Sequence, residues 1–449
     1  MKSRSVTSQL VQASQYKQQT VACSIVDQLL KDLSVPVVFF YREPLDALVL
    51  VESLEVVLND FSIFAGRLRE VSHRLVLDCN NAGVRFSQQV ESDSLEQLLQ
   101  KSPTVAKKRL VDAIDPARAI ATQGPVLTVK LTQFSDGGTA LGLCWHHALG
   151  DMHTFMCFMK AWSAVASHQQ YSPPLMLEDR AAYIQAQIPQ NSNNTPNVRH
   201  LKGISLLKLA FYMLFQARSR SSASFYFSED ELSRMKQSFS QQANQKFSSN
   251  DVLCAHIGNW ITRFDSDPSD RQIAIAVNYR SRTKLSNHAL GNFIGTILLP
   301  ISKRPKPHQL SQTIRDAVDS FKERHLGYFS TCKYIEENGG IANISRFVSK
   351  AIDPINKTLL ITNWSRFGVY DILFSRSKPF YFASLSIAPF PWLSAIFEGC
   401  SNQGLIYSAV LPAKLMRRLT QTDALQELHQ YRNPDDVLPT ALAQLPWLL

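Results

Sequence analysis

The chain has 449 residues, with 47 Lys and Arg against 37 Asp and Glu, and a formal net charge of +10 at pH 7. Hydrophobic residues make up 45% and charged residues 19%, enough apolar material for sizeable cores, which excludes disorder as the main state. At roughly 100–200 residues per domain the length predicts two or three domains, and the positive balance suggests an anionic partner without choosing among nucleic acid, a lipid surface and a phosphorylated cofactor.

The first twenty residues are basic but no apolar run follows them, so they do not read as a secretory signal. Residues 21–33 have the spacing of an amphipathic helix, and Val35 to Tyr41 (VPVVFFY) reads as a buried strand. Asp46 to Leu58 returns apolar residues at helical spacing. The turn signal Asn80-Asn81-Ala82-Gly83 between Leu75–Leu77 and Val84–Phe86 predicts a hairpin. Val126 to Phe134 and Thr139 to Trp145 are two further strands, followed by a helix over Thr154 to Ala166.

Residues 168–200 are rich in Gln, Asn, Ser and Pro and read as an exposed linker. Within the crossover, Ile204 to Phe215 (ISLLKLAFYMLF) is too short to span a bilayer. Its ordinary reading is a buried helix; the other is an interfacial helix making peripheral membrane contact. Beyond it come a strand at Ser224–Phe227, helices at Asp230–Phe239 and Asn250–Thr262, and a strand at Gln272–Tyr279. A helix at Leu310–His325 and strands at Thr358–Asn363, Phe380–Ala388 and Gly404–Leu411 complete the series. Mixed strands and helices in both halves point to sheets flanked by helices.

Seven scattered cysteines (Cys23, Cys79, Cys144, Cys157, Cys254, Cys332 and Cys400) form no CxxC pair, which fits reduced thiols in a cytoplasmic protein better than a disulfide frame or a zinc site. No metal is expected: His147 and Asp151 have i, i+4 spacing, but Gly150 argues for a turn and no second ligand cluster stands nearby. A Gly-x-Ser-x-Gly elbow and a Gly-rich phosphate loop are both missing. The basic residues are dispersed and form no nucleic-acid-binding module.

The most informative run is His146-His147-Ala148-Leu149-Gly150-Asp151, placed after a strand and before a helix. An imidazole there suits acyl transfer, because it takes and returns a proton around neutrality. Several blocks accompany it in order: Phe39-Phe40-Tyr41, Phe64-Ala65-Gly66-Arg67-Leu68, Phe225-Tyr226-Phe227-Ser228, Phe247 to Leu253, Asn278-Tyr279-Arg280-Ser281-Arg282, Leu290-Gly291-Asn292-Phe293 and Thr362-Asn363-Trp364. With them the chain resembles the BAHD-type CoA-dependent acyltransferases, whose HHxxxD signature nonribosomal condensation domains share. Two positions depart from the pattern. Met152 stands where a Gly usually follows the Asp, and the DFGWG segment reads Leu373-Phe374-Ser375-Arg376-Ser377, keeping only its Phe.

The resemblance implies an α/β fold of two similar mixed-sheet domains, chloramphenicol acetyltransferase-like, with the active site in a channel at their interface. Residues 1–167 would carry the His motif, 168–223 the crossover linker, and 224–449 the CoA side. It implies His147 as general base, Thr362 and Trp364 facing the tetrahedral intermediate, and Asp151 turned from the cleft to pair with Arg280. The strand pattern alone puts Asn278, Arg280 and Arg282 on one face, and so does not separate the two arginines. Lys246, Ser248 and Ser249 resemble the region that meets CoA; an ordinary helix cap with a solvated lysine is the competing reading.

The implied function is transfer of an acyl group from acyl-CoA, a co-substrate rather than a resident cofactor, to a hydroxyl or amine of a small, hydrophobic or specialised metabolite by a monomeric enzyme. A condensation-type enzyme using a carrier-protein thioester, and a non-catalytic binding protein of the same fold, are the alternatives.

Overall fold

The computed structural model describes residues 6–448 apart from 102–106, 191–193, 213–218, 268, 270, 303–305, 354, 375, 385–390 and 437. Two six-stranded mixed sheets organise it. The first runs, in spatial order, Val6–Val11, Val84–Val90, Leu127–Gln133, Thr139–His146, Ser34–Tyr41 and Pro379–Ser384. The second runs Arg220–Phe227, Leu405–Pro412, Leu393–Glu398, Leu359–Asn363, Arg271–Asn278 and Ile294–Ile301. Each sheet has its own apolar core.

Local chemistry accounts for the main elements. Val35 to Tyr41 is a continuous apolar run, and it is buried throughout between the strands Thr139–His146 and Pro379–Ser384. The helix Ala47–Val57 starts where the Asp46 side chain accepts the Leu48 amide, satisfying one of the amides that a helix start leaves unpaired. It packs on the helix Met152–Ala166, whose Trp162 indole donates to Ser53 Oγ at 2.9 Å. In the second half the helix Ser249–Phe264 buries Trp260 and Ile261 against the sheet side and is flanked by Glu229–Ala243 and Pro307–Asp319.

Several expectations from sequence need correction. Residues 21–33 do not form one helix: Gln19–Ala22 is a strand paired with Arg74–Cys79, and the helix is confined to Ile25–Leu29. The reciprocal hydrogen bonds between Ser24 and Asp27 set its start. The chain does turn at Asn80–Gly83, with Asn81 and Gly83 at positive φ, but the flanking strands do not pair. Arg74–Cys79 joins a three-stranded sheet with Gln19–Ala22 and Arg67–Val71, whereas Val84–Val90 enters the first large sheet.

The strand Pro379–Ser384 pairs with Ser34–Tyr41, so one strand from the second half of the chain completes the sheet of the first. The remainder of the expected strand, 385–388, lies outside the described residues. The linker is not uniformly exposed either. Arg180–Gln187 is a helix whose Arg180 is 1% exposed, and Val198–His200 pairs with Phe347–Ser349. Finally, the helix Ile204–Phe211 buries none of its residues; residues 213–215 of the apolar run lie outside the described residues.

Candidate active site

The strand Thr139–His146 is fixed on both sides, by Leu127–Gln133 and Ser34–Tyr41, and its last residue pairs with Ser34. The chain then leaves the sheet in one tight turn, His147–Leu149. His146 caps this turn, its Nδ1 accepting the Ala148 amide at 3.2 Å. The His147 amide donates to the Leu33 carbonyl at 2.9 Å. Gly150 must be glycine: a Cβ there would lie 2.5–2.7 Å from three atoms of the Thr154 side chain. Asp151 next caps the helix Met152–Ala166 by accepting the Thr154 amide at 3.0 Å.

Asp151 Oδ2 meets Arg280 Nη1 at 2.7 Å and the Phe293 amide at 3.0 Å, and Asp151 also borders the cavity that His147 faces. Arg280 is 1% exposed. Its remaining donors go to Thr154 Oγ1 and the carbonyls of Ala289 and Gly291, and its plane stacks 4.4 Å from the Phe293 ring centroid. Arg282 instead donates to the Val318 carbonyl at 3.0 Å. The pairing that the strand pattern left open is thus Asp151 with Arg280. Burial alone would raise the Asp151 carboxyl, but the Arg280 charge and hydrogen bond hold it below the usual carboxylate range.

Sequence reasoning missed a second buried assembly under the same turn. Arg180 donates to the carbonyls of Ala148 and Leu149 at 2.9 and 2.8 Å, and it lies 3.3 Å from Asp27 Oδ1. Asn292 Nδ2 bridges Asp27 Oδ1 and the His147 carbonyl, both at 2.8 Å. Asn292 stood in a recognised block, and Asp27 had capping-box spacing from Ser24. Arg180, in a polar segment with no periodicity, carried no signal.

His147 borders a cavity of about 250 Å³ between the two sheets, and Thr362 and Trp364 border the same cavity. Burial is the main influence on the His147 imidazole and lowers its pKa; its own carbonyl, the Asp151 charge and Asn292 offset part of this. His146 is fully buried, and its pKa is pushed down to about 4, first by burial and then by its neighbour His147. Trp364 follows the strand Leu359–Asn363, and its indole N–H donates to Thr362 Oγ1 at 3.1 Å. The indole proton is therefore committed, and the hydroxyl proton of Thr362 is turned elsewhere.

The rest of the wall is mostly aliphatic and aromatic, including Leu29, Leu33, Ile294, Tyr328, Phe367 and Val410. Among the described residues no Lys or Arg lines it. Met152, where the family resemblance has Gly, is part of this wall. Phe374, the retained residue of the degenerate segment, stacks edge-on against Trp162 at 4.9 Å and sits in the first core.

Lys246, Ser248 and Ser249 do not line the cavity. Ser248 caps the helix Ser249–Phe264 in reciprocal hydrogen bonds with Asp251, and Lys246 is exposed. Asn363, on the cavity wall, donates to Asn250 Oδ1 at 2.6 Å and so ties this helix start to the site. Among the described residues no group of three His, Cys, Asp or Glu could hold a metal ion, and none of the seven cysteines is in a disulfide.

A family model described as the Transferase family matches residues 4–425. Shikimate O-hydroxycinnamoyltransferase of Nicotiana tabacum is 26% identical over 410 residues, covering 87% of this chain and 92% of that protein. The crystal structure of vinorine synthase is similar with a TM-score of 0.72 at 21% identity, over 94% of this chain and 98% of that one. F. sporotrichioides TRI101, complexed with coenzyme A and T-2, has a TM-score of 0.71 at 16% identity, over 91% of this chain and 98% of that one. At these identities the structural likenesses speak to the fold.

Proposed function

Because the chain belongs to the Transferase family, the BAHD-type acyltransferases, we propose that it moves an acyl group from acyl-CoA to a hydroxyl, or an amine, of a small and largely apolar metabolite. The observation that carries this reading is a half-buried imidazole, its pKa lowered by desolvation, at the edge of an apolar cavity, with a hydroxyl and an indole bordering the same space. His147 Nδ1 is buried, so Nε2 is the ring nitrogen left to meet a substrate. It takes the proton of the acceptor hydroxyl as the oxygen attacks the thioester carbonyl. The same proton, held on the imidazolium, goes to the departing CoA sulfur, and no acyl-enzyme bond is required.

The Thr362 hydroxyl, oriented by the Trp364 indole, is the donor for the developing oxyanion, a contact worth about 3–4 kcal/mol in comparable sites. Residues 1–167 supply the base and 224–449 the oxyanion donor, with 168–223 crossing between them. The CoA phosphates would meet Lys246 beside the helix start at Ser248 and Ser249, where the positive end of the helix dipole favours anions. Among its described residues the lining has no Lys or Arg and includes Asp151, which favours a neutral acceptor over a carboxylate.

Substituting His147→Ala tests the assignment, with transfer followed by release of free thiol from a panel of acyl-CoA donors. The expected loss is roughly 10²–10⁴-fold in kcat with the fold intact. Near-normal turnover would end the reading. Turnover only with a carrier-protein thioester would move the chain to the condensation type.

A further inference from the structure

The crossover helix Ile204–Phe211 is turned inside out relative to an ordinary surface helix. Ile204, Leu207 and Phe211 are spaced by three and four residues, so they share one face. That face points to solvent: the three side chains are 71%, 72% and 57% exposed. Leu206 adds to the apolar surface, and no residue of the helix is buried. A soluble helix of this composition would normally turn such a face inward.

Basic side chains border the helix, and Lys202 Nζ also donates to Asn338 Oδ1 at 3.2 Å, next in the chain to the exposed Glu336 and Glu337. Lys202 and Lys208 are exposed beside the apolar face, and exposed Arg346 is brought alongside by the hydrogen bond from the Leu201 amide to its carbonyl, 2.7 Å. Between Asp179 and Glu229 the chain carries no carboxylate at all. A second copy of the chain is a poor occupant, because a two-fold pairing of this face would set Lys202 and Lys208 of one copy against those of the other. An apolar face about 12 Å long with a basic border fits shallow insertion among anionic headgroups.

We propose that the Ile204–Phe211 helix docks the protein peripherally on an anionic membrane surface. Leu207 and Phe211 enter the acyl boundary, and Lys202 and Lys208 meet lipid phosphates. The proposal is independent of the acyl-transfer assignment.

The test is co-sedimentation of the full chain with vesicles of equal parts phosphatidylserine and phosphatidylcholine, alongside vesicles of phosphatidylcholine alone. The expected result is binding to the first and much weaker binding to the second, falling as salt is raised. The double variant Leu207→Glu/Phe211→Glu should bind at least roughly tenfold more weakly. Lys202→Gln and Lys208→Gln should each weaken binding about fivefold. All four side chains are exposed, so thermal unfolding and acyl transfer to a water-soluble acceptor should be unchanged in every variant. Failure of the parent chain to sediment with the anionic vesicles would overturn the proposal, as would unaltered binding by the double variant. A dimer by light scattering that the same variant dissociates would give the face to a second copy instead.

Discussion

Arg180 holds the carbonyls of Ala148 and Leu149 from below, while Arg280 holds Asp151 from behind. Between them they fix both ends of the turn that carries His147, and neither lines the cavity. Lysine cannot replace the planar fork of Arg180, because a single ammonium does not span two carbonyls and a carboxylate. Arg180→Lys should therefore lower kcat while leaving the KM for acyl-CoA nearly unchanged, and should cost about 1–3 kcal/mol of stability by leaving a buried acceptor unpaired. An unchanged kcat, measured beside a urea titration, would show that Arg180 supports only the fold. His147 itself offers a pH test. Burial lowers its pKa below 6.5, and the proposed base would work only when neutral, so its acid limb would move toward lower pH. The kcat/KM profile should accordingly stay flat through pH 6.5 and fall only below it; a limb at or above 6.5 would contradict a desolvated base.

At the scale of elements, the site depends on how strand, turn and helix are spliced at Gly150. The Thr154 hydroxyl that a Cβ would strike is already bound to the Gly291 carbonyl and to Arg280, so it has no room to yield. Gly150→Ala should cost about 1–3 kcal/mol through overpacking and should lower kcat more than a distant mutation of equal cost, measured by thermal unfolding and steady-state rates. A full-rate Gly150→Ala enzyme would mean that the turn tolerates displacement. The elements that sequence made legible are those whose signal is local. Asp46 before a helical apolar pattern marks a helix start, and VPVVFFY is apolar enough to be a central strand wherever it lies. Partner choice is different in kind. Asn80–Gly83 encodes a turn, but nothing within four residues says that Cys79 and Val84 part into different sheets. Nor does anything near Pro379 say that its strand crosses back to Ser34–Tyr41. The site divides in the same way. The His147, Asp151, Thr362 and Trp364 positions were readable through motifs, whereas Arg180 acts by burial, which a single polar segment does not disclose.

For the whole molecule, the two cores hold buried imidazoles that tie the fold to pH. His146 in the first half and His256 in the second are both at most 1% exposed, and burial pushes the pKa of each down to about 4 from 6.5. In the unfolded chain both take up protons near 6.5, so between pH 6.5 and 4 the unfolded state binds more protons than the folded one. Stability must then rise with pH across that window and fall as acid is added. Each histidine contributes a slope of about 1.4 kcal/mol per pH unit at its steepest, a large share of the 5–15 kcal/mol that typically separates folded from unfolded domains. Urea midpoints should be level from pH 8 to about 7 and drop steeply toward pH 5. His256 Nε2 lies 2.7 Å from the Leu428 carbonyl, so His256→Gln keeps a possible donor while removing the titration, and this variant should lose one histidine's share of a slope to which His147, His153 and His325 also add. A midpoint that stays constant from pH 7 to 5, or a slope untouched in the variant, would show that these imidazoles reach solvent and are not the acid-sensitive part of the fold.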